Sequence, residues 1–261
     1  MPYATNDGVR IYYEREGSGP PILMHHGFSM SHQAWREDGF VDALKDDYEL
    51  VLFDQRGNGA SDKPHDPADY TFDKRVADIV AVLDDAGIDR AVFWGYSLGG
   101  HVGYAIAQYA PERFRALIIG GQHPYARDPE PYRAQAERLR SGGMAKRVME
   151  IEAGYGPIPP ARRARILADD AEALAASSIA IGNAPSFADA LANLGIPVLI
   201  YVGDRDGAYA EGARAVAGLP QVTFVTLTGC DHGQGGERAD IVIPHVRAFL
   251  AGVTDTAHPQ A

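Results

Sequence analysis

Cysteine is nearly absent: Cys230 stands alone in 261 residues, so no intramolecular disulfide can form. That scarcity suits a reducing compartment, and a cytoplasmic location is expected. Long apolar runs are absent too. No stretch approaches the roughly 18 residues needed to span a bilayer as a helix. The opening MPYATNDGVRIYYEREG has no basic start followed by an apolar segment, so no signal peptide is expected. Positive charge is in the minority, with 24 Lys and Arg against 35 Asp and Glu and a net charge of −11. Phosphate backbones and anionic membrane surfaces are repelled on average by such a chain, so a small molecule is the expected partner, with neither nucleic acid nor membrane. Internal repeats and low-complexity blocks are missing. The histidines lack zinc-ligand spacing, and the glycine-rich turns lack the lysine of a phosphate-binding loop, so no metal and no organic cofactor are expected.

What remains is an ordinary globular composition, 46% hydrophobic and 23% charged, with 29 Gly and 17 Pro. The length suits one large α/β domain carrying an insertion. Asn6-Asp7-Gly8 separates two short strand-like runs and predicts a hairpin. PPILMHHG, YELVLFDQRGNG, RAVFWGY, FRALIIGG, IPVLIYVGDRDG and QVTFVTLTG are short apolar runs that end in glycine or turn residues, as buried strands do. Between them, Val76, Ile79, Val80 and Leu83 recur at helical spacing, as do Leu98, Val102, Ala105, Ile106 and Tyr109. An Ala-rich helix is expected near 210–217, and RADIVIPHVRAFLAG closes the chain as an amphipathic helix. Strands alternating with helices imply an α/β fold, with a mostly parallel central sheet flanked by helices. The rhythm breaks over 124–189, which has helical stretches, no convincing strand, and nine basic against nine acidic residues. It reads as a helical insertion after the sixth strand, ALIIGG, leaving 1–123 and 190–261 as the core domain.

In AVFWGYSLGGHVGYAIA, residues 91–107, a strand reverses into a helix through Gly95-Tyr96-Ser97-Leu98-Gly99. Glycines remove β-carbons that would collide at such a corner. The serine needs another explanation, and a hydroxyl at the tip of a strand-to-helix turn is the nucleophile elbow. A serine hydroxyl is weak near neutral pH unless a base is in hydrogen-bond reach and an acid orients that base. His232 follows the last predicted strand and faces the same sheet edge as the corner. His26 and His123 also follow strands on that edge and are candidate pocket residues, together with Tyr96 and Tyr125. His101 is expected to pack, and His32, His65, His245 and His258 to lie at the surface. For the acid, Asp204 and Asp206 are both available, and spacing does not choose between them. Asp54 reads as part of a structural turn with internal ion pairing, and Cys230 as a buried structural thiol. Tyr132, Met144, Met149, Tyr155, Ile158 and Phe187 of the insertion are further candidates to line an apolar pocket.

HHGF at 25–28, DQRGNGASDKP at 54–64, GYSLGG at 95–100, GDRD at 203–206 and GCDH at 229–232 together resemble the α/β-hydrolase fold family. The resemblance spans nearly the whole chain, with the family's Ser, Asp, His order. It implies that Asp206 is the acid, that the backbone N–H groups of Phe28 and Leu98 form the oxyanion hole, and that the insertion is a helical cap. With Ser97 at the corner, members that use an aspartate nucleophile are disfavoured. The implied activity is hydrolysis of a small or medium carboxylic ester or lactone through an acyl-enzyme. Carbon–carbon bond hydrolysis, thioester hydrolysis, peracid formation and a slow-turnover ligand receptor are the alternatives on the same triad. GQGGERAD, after His232, is richer in glycine than the acidic, proline-containing stretch common there in the family.

Overall fold

A computed structural model describes residues 2–253. Eight strands form one sheet: β1 (Tyr3–Asn6), β2 (Val9–Gly17), β3 (Pro21–His25), β4 (Glu49–Phe53), β5 (Ala91–Tyr96), β6 (Phe114–Gly120), β7 (Val198–Gly203) and β8 (Val222–Leu227). Their spatial order is β1-β2-β4-β3-β5-β6-β7-β8. Only the first two pairings, β1 with β2 and β2 with β4, are antiparallel. The hairpin forms where Asn6-Asp7-Gly8 predicts it. Asn6 pairs with Val9, and the two loop residues take φ of 50° and 78°, the positive values a type I′ turn requires.

The parallel strands read as unbroken apolar runs because helices cover both faces. Ile22, Leu23, Met24, Leu50, Val51 and Leu52 are fully buried. On one face α3 (Phe72–Asp85) and α4 (Leu98–Tyr109) pack against Leu23, Val51, Phe93 and Ile119. On the other, α1 (Gln33–Glu37), α2 (Phe40–Leu44) and, at the end of the chain, a helix over Ala239–Leu250 pack against Met24, Leu52, Trp94 and Ile118.

Four helices lie between β6 and β7: α5 (Glu130–Tyr155), α6 (Pro160–Ala168), α7 (Ala171–Gly182) and α8 (Ala188–Ala192). The first three share their own apolar cluster, built on Ala136, Leu139, Met144, Val148, Ile166 and Leu174. α8 instead packs on α4, and Phe187 is fully buried against Phe72 and His101. Phe187 is therefore a core residue, not a pocket one, and the boundary expected at 189 falls inside α8. Met149 is 68% exposed on the outside of α5. The side chain of Tyr155, and His258, lie outside the described set. α9 (Tyr209–Val216) follows β7, and α10 (His232–Glu237) and α11 (Ala239–Leu250) follow β8.

Candidate active site

The chain reverses between β5 and α4 in a corner too tight for side chains on either flank. A Cβ on Gly95 would stand 2.2 Å from the Gly99 carbonyl oxygen, and one on Gly99 would stand 2.2 Å from that of His25. Ser97, between them, is held at φ 55° and ψ −116°. L-residues rarely adopt this region; holding one there costs about 1–3 kcal/mol and persists only where the surroundings over-determine it. Its backbone is pinned on both sides: Ser97 N–H donates to Gly120 O at 3.0 Å, and His101 N–H donates to Ser97 O at 3.0 Å.

His232 Nε2 lies 2.9 Å from Ser97 Oγ, and its Nδ1 lies 2.7 Å from Asp206 Oδ2. The carboxylate only accepts, so Nδ1 carries the hydrogen and Nε2 is left as the acceptor for the hydroxyl. The Asp206 side chain is 4% exposed, whereas that of His232 is 36% exposed, which leaves an open side where a substrate can lie. Two separate strand ends hold this pair in register. The loops after β7 and β8 are laced together by Asp204 N–H to Leu227 O at 3.2 Å, Arg205 N–H to Cys230 O at 3.0 Å, and Gly229 N–H to Asp204 Oδ1 at 2.8 Å. Asp204 thus braces the turn, while Asp206 faces the imidazole. His232 opens α10, whose N-terminus is capped by Asp231 and Gln234 in a reciprocal pair of hydrogen bonds. Cys230 is buried, as expected of a structural thiol.

Tyr96 belongs to this scaffold rather than to a substrate pocket. It is 8% exposed, and its hydroxyl donates to the backbone oxygen of His232. A Cβ on Gly235 would come within 2.7 Å of the Tyr96 hydroxyl oxygen, and one on Gly236 within 2.6 Å of the ring. The glycine-rich GQGG run is what lets α10 lie flat on that tyrosine.

His26 likewise is no pocket residue. It is 1% exposed and bonded to Gly27 and Gln55 through its two ring nitrogens. Burial outweighs the nearby Asp54 charge and lowers its pKa to about 4, so it is neutral near pH 7. His32, expected at the surface, is buried as well. Its N–H and Nδ1 both donate to Asp54 Oδ1, at 2.9 and 2.8 Å. Asp54 takes a further N–H from Ala60 at 2.8 Å, and these bonds hold its charged form against the opposing effect of burial. The ion pair of that turn runs from Arg56 to Asp78, at 2.6 Å. His101 packs on Phe72, ring centroids 4.4 Å apart. His123 and Tyr125 sit half-buried on the loop after β6, 6.0 Å apart, with Arg214 above the Tyr125 ring at 4.8 Å. Burial and then the Arg127 charge lower the His123 pKa, with Glu211 and Asp206 acting the other way.

The loop after β3 passes beside the corner: a Cβ on Gly27 would stand 3.8 Å from Ser97 Oγ. The next residue is Phe28, whose ring packs on the α5–α7 cluster beneath Arg147 at 5.9 Å. Leu98 is the first residue of α4, so its N–H has no intrahelical acceptor and points back toward Ser97. A cavity of about 450 Å³ opens farther along the same loop, between Tyr12, Ser29, Met30 and His32 on one side and Ile166 and Asp169 on the other. None of Ser97, Asp206 and His232 lines it. Burial raises the Asp169 pKa to about 7 despite a hydrogen bond from Ser29. No helix among the described residues is long and apolar enough to cross a membrane.

Comparison with known proteins places this arrangement. A family model described as the alpha/beta hydrolase fold matches residues 20–142. An esterase from Thermogutta terrifontis superposes with a TM-score of 0.83 at 25% identity, covering 96% of this chain and 98% of that one. An enol-lactonase from Burkholderia xenovorans LB400 superposes with a TM-score of 0.84 at 25% identity, covering 96% and 100%. In sequence, epoxide hydrolase 2 of Siraitia grosvenorii is 31% identical over 126 residues, 48% of this chain and 39% of that protein. The chain spans only 39 to 43% of the length of the first three curated relatives it matches. Sheet order, the clamped serine corner and near-complete superposition agree with one another, and the chain has the α/β-hydrolase fold.

Proposed function

We propose that the protein is a serine hydrolase of small or medium carboxylic esters or lactones, working through an acyl-enzyme. The observation that carries this reading is the chain of contacts from Ser97 Oγ to His232 Nε2 at 2.9 Å and from His232 Nδ1 to Asp206 Oδ2 at 2.7 Å. Ser97 attacks the acyl carbonyl as His232 takes its proton, and Asp206 stabilises the imidazolium that forms. The N–H groups of Leu98 and Phe28 receive the developing oxyanion; one such donor is typically worth ~10²–10³ in rate. His232 then protonates the leaving alcohol, and the same imidazole activates the water that releases the acid. No step calls for a cofactor or metal. Helices α5–α7 serve as the cap, since Phe28, which follows the Gly27 that approaches Ser97, packs on both their apolar cluster and that of the core.

Epoxide hydrolysis, the activity named for several relatives, fits this corner poorly. A serine that opened an epoxide would be left as an ether, which has no carbonyl for water to attack. A carboxylate nucleophile leaves a hydrolysable ester instead.

A fluorophosphonate probe followed by mass spectrometry, with p-nitrophenyl acetate and a panel of esters, lactones and thioesters, tests the proposal. Expected are one adduct on Ser97, turnover of at least one oxygen ester, and loss of both in a folded Ser97→Ala variant. An adduct elsewhere, or turnover that survives in Ser97→Ala, overturns it.

A further inference from the structure

The proposed oxyanion donor, Phe28 N–H, is one end of a peptide group whose other end is the Gly27 carbonyl. Turning that carbonyl turns the donor. His26 Nδ1 lies 2.8 Å from Gly27 O, and since a carbonyl only accepts, the ring nitrogen donates. The other ring nitrogen, Nε2, accepts the Gln55 backbone N–H at 3.2 Å. The Gln55 side chain adds a second bond to the same carbonyl, Nε2 to Gly27 O at 3.3 Å. Its orientation is fixed from behind. Arg75 Nη1 donates to Gln55 Oε1 at 2.6 Å, and a guanidinium can only donate, so the amide nitrogen must face Gly27.

Arg75 itself is 2% exposed. It donates to Tyr70 O at 2.9 Å and, through Nη2, to Ser177 Oγ at 2.8 Å. Among the described residues no carboxylate forms an ion pair with it. Its charge is held by neutral acceptors, an expensive arrangement for packing alone. Ser177 lies on α7, in the segment read as the cap.

We infer that Arg75 and Gln55 are positioning residues of the oxyanion hole, and that Ser177 ties the orientation of the Gly27–Phe28 peptide to the seating of α7. Two donors on the Gly27 carbonyl fix the plane of the peptide and polarise it, which strengthens its N–H as a donor. When α7 leaves its seat, Arg75 loses one of its three acceptors and Gln55 loses its rigid backing. The inference rests on the proposed role of Ser97 and specifies how that site is kept competent.

Two variants test it. Gln55→Glu keeps the shape and the Arg75 contact but replaces the donor to Gly27 O with a second acceptor. Ser177→Ala removes only the tie to α7 and is a mild change in a buried helix. Each is compared with the wild type for kcat and KM on p-nitrophenyl acetate. Affinity for an aryl trifluoromethyl ketone, whose Ser97 adduct carries an oxyanion, is measured alongside, as is fluorophosphonate labelling. The expected result is a kcat about 10–100-fold lower in Gln55→Glu, at or below the ~10²-fold floor for outright loss of an oxyanion donor, because the Phe28 N–H is misaimed and not removed. Ketone affinity falls by the same factor while KM changes less than about twofold. Ser177→Ala shows the same split at about threefold. Unchanged kcat and ketone affinity in Ser177→Ala, or a KM rise in Gln55→Glu without loss of ketone affinity, overturns the inference while leaving the Ser97 reading intact. A wild-type protein unlabelled at Ser97 removes that reading, and this inference with it.

Discussion

The backbone of Ser97 offers a measurement that separates strain from chemistry. Ser97→Ala and Ser97→Gly both delete Oγ and its hydrogen bond to His232, so they lose the same polar contact and differ only by one β-carbon. At φ 55° and ψ −116° that carbon is what makes the conformation unfavourable. Relieving it is worth about 1–3 kcal/mol. Against this, glycine makes the unfolded chain more flexible than alanine does, by about 0.5–1 kcal/mol. The corner cannot relax in Ser97→Ala, because Gly95 and Gly99 already stand where any β-carbon would meet backbone at 2.2 Å. Subtraction leaves Ser97→Gly the more stable variant by about 1 kcal/mol, which for a domain of this size raises Tm by roughly 2–4 °C. Calorimetry on the two variants under identical conditions decides the matter. If Ser97→Ala melts at or above Ser97→Gly, the corner stores no strain, and the explanation of why a non-glycine residue is held there fails.

The two acids of the GDRD turn and one carboxyl between α6 and α7 yield further expectations. Asp206→Asn should lower kcat/KM by about 10⁴, because the imidazole loses the partner that sets its tautomer. Asp204→Asn should cost under about tenfold, since Asp204 braces Gly229 rather than His232; the opposite ranking would reassign the acid. Asp169→Asn should raise Tm increasingly from pH 4 to pH 8. The folded-state pKa of Asp169 is raised to about 7 from its ordinary 3.8. The stability linked to its neutral form is therefore full below 3.8 and lost as pH rises through 7, and asparagine stays neutral throughout. A stability difference between the two proteins that ignores pH contradicts this.

Legibility followed the range of the interactions. The hairpin at Asp7-Gly8, the apolar strands and the serine corner were readable because a few neighbouring residues determine each of them. α1 and α2, at five residues each, are too short to show periodicity. The choice between Asp204 and Asp206 depends on which carboxylate the β8 loop occupies, a contact across 25 residues, and only the family resemblance supplied it. His32 looked like a surface residue in a polar loop, yet Asp54 draws it inward from 22 residues away. His26 and Tyr96 flank the corner as their strand ends imply, but their side chains lie on its supporting side. Gln55, Arg75 and Ser177 carry no local signal at all, since their meaning lies in contacts spanning 20 and 102 residues. The glycine-rich tract after His232 did leave a mark, as a departure from the family pattern. The flat seat of α10 on Tyr96 accounts for it.

Three groups held at an energetic disadvantage share one region. Ser97 keeps a backbone conformation suited to glycine, Arg75 carries a buried charge bonded to neutral acceptors, and Asp169 is a carboxyl pushed toward neutrality. All three lie along the seam between the carboxyl edge of the sheet and helices α5–α7. Elsewhere the molecule is held by apolar clusters on both sheet faces, by the buried Arg56–Asp78 pair, and by exposed ion pairs such as Arg10–Asp62 and Arg238–Asp240, which contribute little each. The shared position of Ser97, Arg75 and Asp169 near the edge that carries the proposed nucleophile is what the hydrolase reading expects of a site that trades stability for reactivity.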